Sequence, residues 1–179
     1  MHDPLRRPWT EPGRDPELLH AAQNGDLAAL FTLLRERRDE LWRVCFALTL
    51  DRVRAERLFH ETLVRAAKNL RSVPHGQAFL PWLVRLAANL ATHGRRESPE
   101  AVAASAARSD ALGKPLAPEQ VEVLASFAAL PEFERLLLAL AEIEKLPYAE
   151  IGAITRREAT AVIHQLALIR ARMAGEQAA

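Results

Sequence analysis

From Asp15 onward, apolar residues recur at helical spacing, and runs of Val, Ile and Thr are short. Asp15-Pro16 predicts a helix start, with Asp as N-cap and Pro at the first helical position, running to about Gln23. Asn24-Gly25-Asp26 breaks that helix and caps the next. There Leu27, Leu30, Phe31, Leu34, Leu41, Val44, Cys45 and Leu48 share one face through a charged stretch at Arg35–Glu40. Asp51 caps a third helix with Leu58, Phe59, Thr62, Leu63 and Ala66 inward. A loop over Arg71–Gln77, holding Pro74 and Gly76, precedes a fourth helix whose stripe is Phe79, Leu83, Leu86, Ala87 and Leu90, ending near Gly94. Pro118 reopens helical structure, Pro131 restarts it, and Pro147 begins a short helix through Ile151 and Ile154. A last helix, from about Arg157 to Met173, turns Val162, Leu166 and Ile169 inward.

The 179 residues suffice for one large or two small domains, and 49% apolar residues suffice for their cores. Ala and Leu dominate and Gly is sparse, which favours an all-α chain. Residues 97–117 are rich in Ala and Ser and poor in large apolar groups. The predicted organisation is a flexible arm over 1–14, a helical module over 15–97, a flexible linker over 98–117, a second helical module over 118–174 and a tail over 175–179. Net charge is +1 overall but unevenly spread. Residues 1–97 carry 16 Lys+Arg against 12 Asp+Glu, and residues 118–179 carry 6 against 9. A nucleic-acid surface is therefore expected in the first half.

Cys45 stands alone within an apolar helical pattern, the setting of a buried structural thiol. No apolar run approaches the ~18 residues of a membrane span, and the Pro- and Arg-rich N-terminus lacks a signal-peptide core, so a cytoplasmic protein is expected. No enzyme constellation is present. His2, His20, His60, His75, His93 and His164 form no close metal-ligand pair with one another or with Cys45, and no glycine loop cradles phosphate. Neither a metal, a cofactor nor a small-molecule substrate is expected.

Three segments, in order, resemble the extracytoplasmic-function type of sigma factor, the promoter-specificity subunits of bacterial RNA polymerase. Ala55–Ala66, AERLFHETLVRA, resembles region 2.2, usually AED-x-x-QE-x-F, with Arg57 and His60 in place of the usual acid and Gln. Trp82–Arg96, WLVRLAANLATHGRR, resembles regions 2.3 to 2.4, usually WL-x-x-IA-x-N before a basic pair. Leu130–Ile154 resembles the start of region 4, usually LP-x-x-x-R and then L-x-YEEIA, leading into a helix-turn-helix over Leu146–Met173. Where that family commonly reads G-[IV]-S-x-GTVKSR, this chain reads Arg156 to Gln165 as RREATAVIHQ, without the turn glycine or the basic pair.

The resemblance implies binding to core RNA polymerase, promoter recognition and strand opening, with an anti-sigma protein as a further partner. Polymerase would dock on Glu56, Arg57, His60, Glu61 and Arg65, a face that is otherwise simply solvated. The −10 element would meet Arg71, His75, Gln77, Arg85, Asn89, Arg95 and Arg96. Arg85 and Asn89 stand at i and i+4 on one helical face, and Arg95-Arg96 is equally explained by the helix dipole. Phe79 and Trp82 are read either as core or as platforms for unpaired bases. The −35 element would meet Arg156, Arg157, Thr160, His164 and Gln165. Major-groove reading wants Arg or Lys, and Glu158 near the helix start repels phosphate, so weak or altered −35 binding is expected. The alternative is a degenerate sigma-like decoy or regulator that acts by protein binding without reading a promoter.

Overall fold

The computed structural model describes residues 15–74, 78–92 and 118–176. The fold is all-α, with two helical modules. The first comprises α1 (Asp15–Gln23), α2 (Leu27–Glu36), α3 (Arg38–Thr49), α4 (Arg52–Asn69), a 3-10 turn at Leu70–Ser72 and α5 (Phe79–Thr92). The second comprises α6 (Pro118–Ala129), α7 (Glu132–Leu138) continuing into a π-helical turn at Ala139–Ile143, α8 (Tyr148–Thr155) and α9 (Ala159–Glu176).

The expected caps form as local chemistry dictates. The Asp26 carboxylate accepts from the Ala28 and Ala29 amides at 2.9 and 3.1 Å, and Asp51 accepts from Arg54 at 2.8 Å. Gly25 takes the turn between α1 and α2 at φ +100, where a side chain would strain the backbone. One boundary differs from the sequence pattern. The apolar stripe predicts a single helix from Leu27 to Leu48, yet the backbone leaves helical geometry at Arg37 (φ −106, ψ 10) and splits it into α2 and α3. At the break Arg37 reaches back to Asp15 at 2.7 Å, tying this point to the start of α1.

The predicted stripes of α4, α5 and α9 point inward, whereas Leu27 and Phe31, expected on the inner face of α2, are 67% and 70% exposed. Leu58, Phe59, Thr62 and Ala66 of α4, Phe79, Leu83 and Ala87 of α5, and Val162, Leu166 and Ile169 of α9 are buried. Leu63, Leu86 and Leu90 are half-buried against the same core. Cys45 is fully buried, and burial pushes its thiol pKa up to about 12. The core does not stop at the module boundary. A continuous apolar cluster runs from Leu19 through α3, α4 and α5 into Leu136, Leu140, Ile151 and Ile169, with α3 against α7 and α5 against α8.

Candidate functional site

On α4 the inner stripe turns Glu56, Arg57, His60, Glu61 and Arg65 outward, and all five are exposed. Arg52–Glu56 and Glu61–Arg65 form i,i+4 ion pairs at 3.4 and 3.7 Å, which at such exposure contribute little stability. Two apolar residues missed by the sequence reading share this face. Val53 is 64% exposed and Val64 is 53% exposed, and helical spacing puts Val53, Arg57, His60 and Val64 in one line. That spacing was visible in the sequence. What hid it was the low apolar content of the face. An exposed line with apolar ends and a charged middle suits protein docking better than a uniformly charged face does.

On α5 the base-stacking role of Phe79 and Trp82 is excluded by their burial. Phe79 is fully buried, Trp82 is 7% exposed, and their rings stack at 5.9 Å within the core. Arg85 is half-buried and Asn89 exposed on the same helical face. Arg71 is exposed in the turn after α4, its Nε donating to the Gln23 carbonyl at 3.4 Å, while Gln23 donates to Leu70 and Val73. His75, Gln77, Arg95 and Arg96 lie outside the described residues, as do the arm and the linker.

A tight turn joins α8 and α9, over the segment expected to form a helix-turn-helix. The Arg157 amide donates to the Gly152 carbonyl at 2.9 Å, and a Cβ on Gly152 would stand 2.5 Å from the Arg157 carbonyl oxygen. Arg156 occupies the left-handed position at φ 58, ψ 45 that a glycine would take without strain. Two polar groups around this turn are engaged within the module. Arg157 lies over the Phe133 ring at 4.5 Å, and Gln165 donates to Glu134 at 3.2 Å. Farther along α9, Arg172 pairs with Glu134 at 3.0 Å, and Arg170 donates to Glu142 at 3.0 Å. That bond holds Glu142 below the usual carboxylate range. Thr160, His164 and Glu158 are exposed.

Two groups of candidate residues that sequence reasoning kept apart meet across the module boundary. Arg85 and Asn89 of α5 and Arg156 of the turn line one recess together with Leu48, Phe133 and Ile154. Burial lowers the Arg85 pKa, and the like charge of Arg156 lowers it further. Elsewhere on the boundary, Arg43 of α3 grips Glu144 just after the π turn, Nε to Oε1 at 2.7 Å and Nη2 to Oε2 at 2.8 Å. This pair spans 101 residues, and no local sequence signal could have announced it. Among the described residues no cluster of His, Cys, Asp and Glu converges to hold a metal ion, and no helix is long and apolar enough to cross a membrane.

No family model matches the chain, and no curated protein matches it. Among solved structures it is similar to CnrH in complex with the cytosolic domain of CnrY. The TM-score is 0.69 at 18% identity, over 91% of this chain and 96% of that one. At that identity the likeness shows a shared fold spanning both modules.

Proposed function

We propose that the protein is a sigma-type initiation factor that binds core RNA polymerase and directs promoter recognition, with no chemistry of its own. One observation carries the reading. Three segments resembling sigma regions 2.2, 2.3 to 2.4 and 4 occur in order on a chain whose fold, over nearly its whole length, is similar to that of CnrH. In this reading residues 15–97 dock on polymerase and contact the −10 element, 98–117 link, and 118–174 serve the −35 side. The exposed line of Val53, Arg57, His60 and Val64 between Glu56 and Glu61 supports docking on a protein helix, with Arg65 at its rim. Arg71, Arg85 and Asn89, with His75, Gln77, Arg95 and Arg96, would supply the promoter contacts of the first module. The protein would act in the cytoplasm, and its partners would be polymerase, promoter DNA and an anti-sigma domain. CnrH is solved with the cytosolic domain of CnrY, a protein partner on the same fold, which supports a protein partner here.

A specific observation favours the second reading, a sigma-like regulator that does not read promoters. The second module carries 6 Lys+Arg against 9 Asp+Glu, and Arg157, Gln165, Arg170 and Arg172 are engaged by its own side chains. One experiment separates the readings. Core polymerase is reconstituted with the protein on genomic DNA and the transcripts are sequenced. Discrete starts sharing an upstream motif establish the initiation factor. Tight polymerase binding with no discrete start establishes the regulator.

A further inference from the structure

We propose that the outward face of α9 pairs, antiparallel, with the same face of a second copy of this chain. Such a pair goes beyond both readings of the function and rests on neither.

The face is apolar where a groove-reading helix is charged. Val162, Leu166 and Ile169 turn inward and leave Ala161, His164, Leu168 and Ala171 exposed on the other side. Leu168 is 49% exposed, and Ile163, at the border of the face, is 47% exposed. From Ala159 to Ile169 the helix carries no Lys, Arg, Asp or Glu. The arginines that follow are held at its borders, Arg170 by Glu142 and Arg172 by Glu134. Residues 118–179 carry 6 Lys+Arg against 9 Asp+Glu. A duplex demands cations against its phosphates, whereas an uncharged apolar face suits protein.

The spacing names which protein. Ala161 and Leu168 stand seven residues apart, as do His164 and Ala171, so the four fill the a and d positions of two heptads. The alanines at both ends of this seam let two helix axes approach to roughly 8 Å. In the same frame the e positions are Glu158, Gln165 and Arg172: an acid, a neutral group and a base. Glu158 is exposed where the helix opens, its carbonyl accepting from the Val162 amide at 3.1 Å. Glu134 holds Gln165 at 3.2 Å and Arg172 at 3.0 Å on this edge, and the Arg172 side chain stays 44% exposed. In an antiparallel pair the equivalent edges lie side by side. Glu158 then meets Arg172 of the second copy, Gln165 meets its own equivalent, and Arg172 meets Glu158. The two ion pairs are equal by a two-fold axis, so the contact closes as a dimer. A copy matches this charge order by symmetry, which an unrelated helix does not.

The contact is one helix face wide, less than the roughly 800 Å² per partner of a stable interface, so the dimer is weak, with a Kd on the order of 100 µM. Its edge charges set orientation and partner more than affinity.

Sedimentation equilibrium of the full chain, from about 5 µM to about 1 mM, reads the association directly. Leu168→Glu puts a charge into the seam from both copies and is expected to weaken the dimer about tenfold. Phe31→Glu removes an apolar side chain on α2 that is 70% exposed and is expected to leave the dimer unchanged. Glu158→Arg and Arg172→Glu are each expected to weaken it about threefold. An equimolar mixture of those two variants is expected to recover, because each hybrid pair restores both ion pairs. Circular dichroism verifies the folding of every variant. A chain that stays monomeric over the whole range overturns the pairing. So does a dimer that survives Leu168→Glu or is lost in Phe31→Glu. A mixture no tighter than its components overturns the antiparallel register. A monomeric chain whose affinity for duplex DNA falls with Leu168→Glu assigns the face to DNA and overturns the pairing as well.

Discussion

The Arg135 guanidinium donates to the Leu48 carbonyl, 87 residues earlier, at 3.1 Å. Its other terminal nitrogen donates to Leu130 and Ala128 at 2.7 and 3.3 Å. Burial lowers its pKa. The arginine of the LP-x-x-x-R motif is thus an internal cross-brace between the α6–α7 turn and the C-terminal end of α3. Arg135→Leu removes the donors to three carbonyls and is expected to cost about 2–4 kcal/mol in urea unfolding. Arg135→Lys rescues little, because an ammonium cannot span the carbonyls with a planar fork.

Gly152→Ala sets two effects against each other. Helix propensity favours Ala by about 1 kcal/mol inside α8. The new Cβ would meet the Arg157 backbone oxygen at 2.5 Å, and overpacking against backbone costs about 1–3 kcal/mol. The clash wins, because neither partner is a flexible side-chain end. Thermal unfolding is expected to show net destabilisation, with loss of ellipticity beginning in the second module.

Arg156 pairs a strained backbone with a charge facing Arg85. Arg156→Ala removes the charge and keeps the left-handed strain, whereas Arg156→Gly removes both. The glycine variant is expected to be more stable than the alanine variant by about 1 kcal/mol in chemical denaturation. Equal stabilities would mean that the turn carries no strain.

Glu150 opens a pH-dependent route. Burial raises its carboxyl above the usual range, and one of its oxygens is buried without a hydrogen bond among the described residues. A raised folded pKa contributes stability below the unfolded pKa, and that stability is lost as pH rises through the folded value. Glu150→Gln is therefore expected to raise the melting temperature at neutral pH. The advantage should disappear below a pH of about 4, where the unfolded carboxyl is protonated as well. A constant difference across that range counts against burial as the cause.

Cys45 follows the same sign at the alkaline end. Its thiol is raised from 9.0 to about 12, so its contribution is complete below pH 9 and declines as pH rises toward 12. Native protein at pH 8 should react with thiol reagents only at the rate of unfolding. Fast, stoichiometric labelling of folded protein would contradict the burial.

The sequence made the α4 face legible because a helix with a clear inner stripe leaves its outer residues no choice. Glu56, Arg57, His60, Glu61 and Arg65 all lie outward as expected. The two readings of Phe79 and Trp82 were not separable at that level, since an aromatic at helical spacing is the same letter in a core and on a platform. Their burial against each other decides for the core. The break at Arg37 escaped the periodicity because the apolar stripe runs on through it, and the ion pair formed there is with Asp15, 22 residues away.

By itself, the sequence determined where the capped helices begin and which faces of α4, α5 and α9 are buried. Asp26 and Asp51 as caps, Pro131 and Pro147 at helix starts, and the Val162–Leu166–Ile169 stripe depend only on neighbours within a turn or two, where backbone geometry is nearly constant. Only the tertiary structure decided that Glu144 meets Arg43, that Arg85 confronts Arg156, and that both modules share one core. Those relationships arise when two separately patterned helical groups come together. Their partners are set by how whole surfaces match, and residues 101 apart leave no periodic trace of each other in the chain.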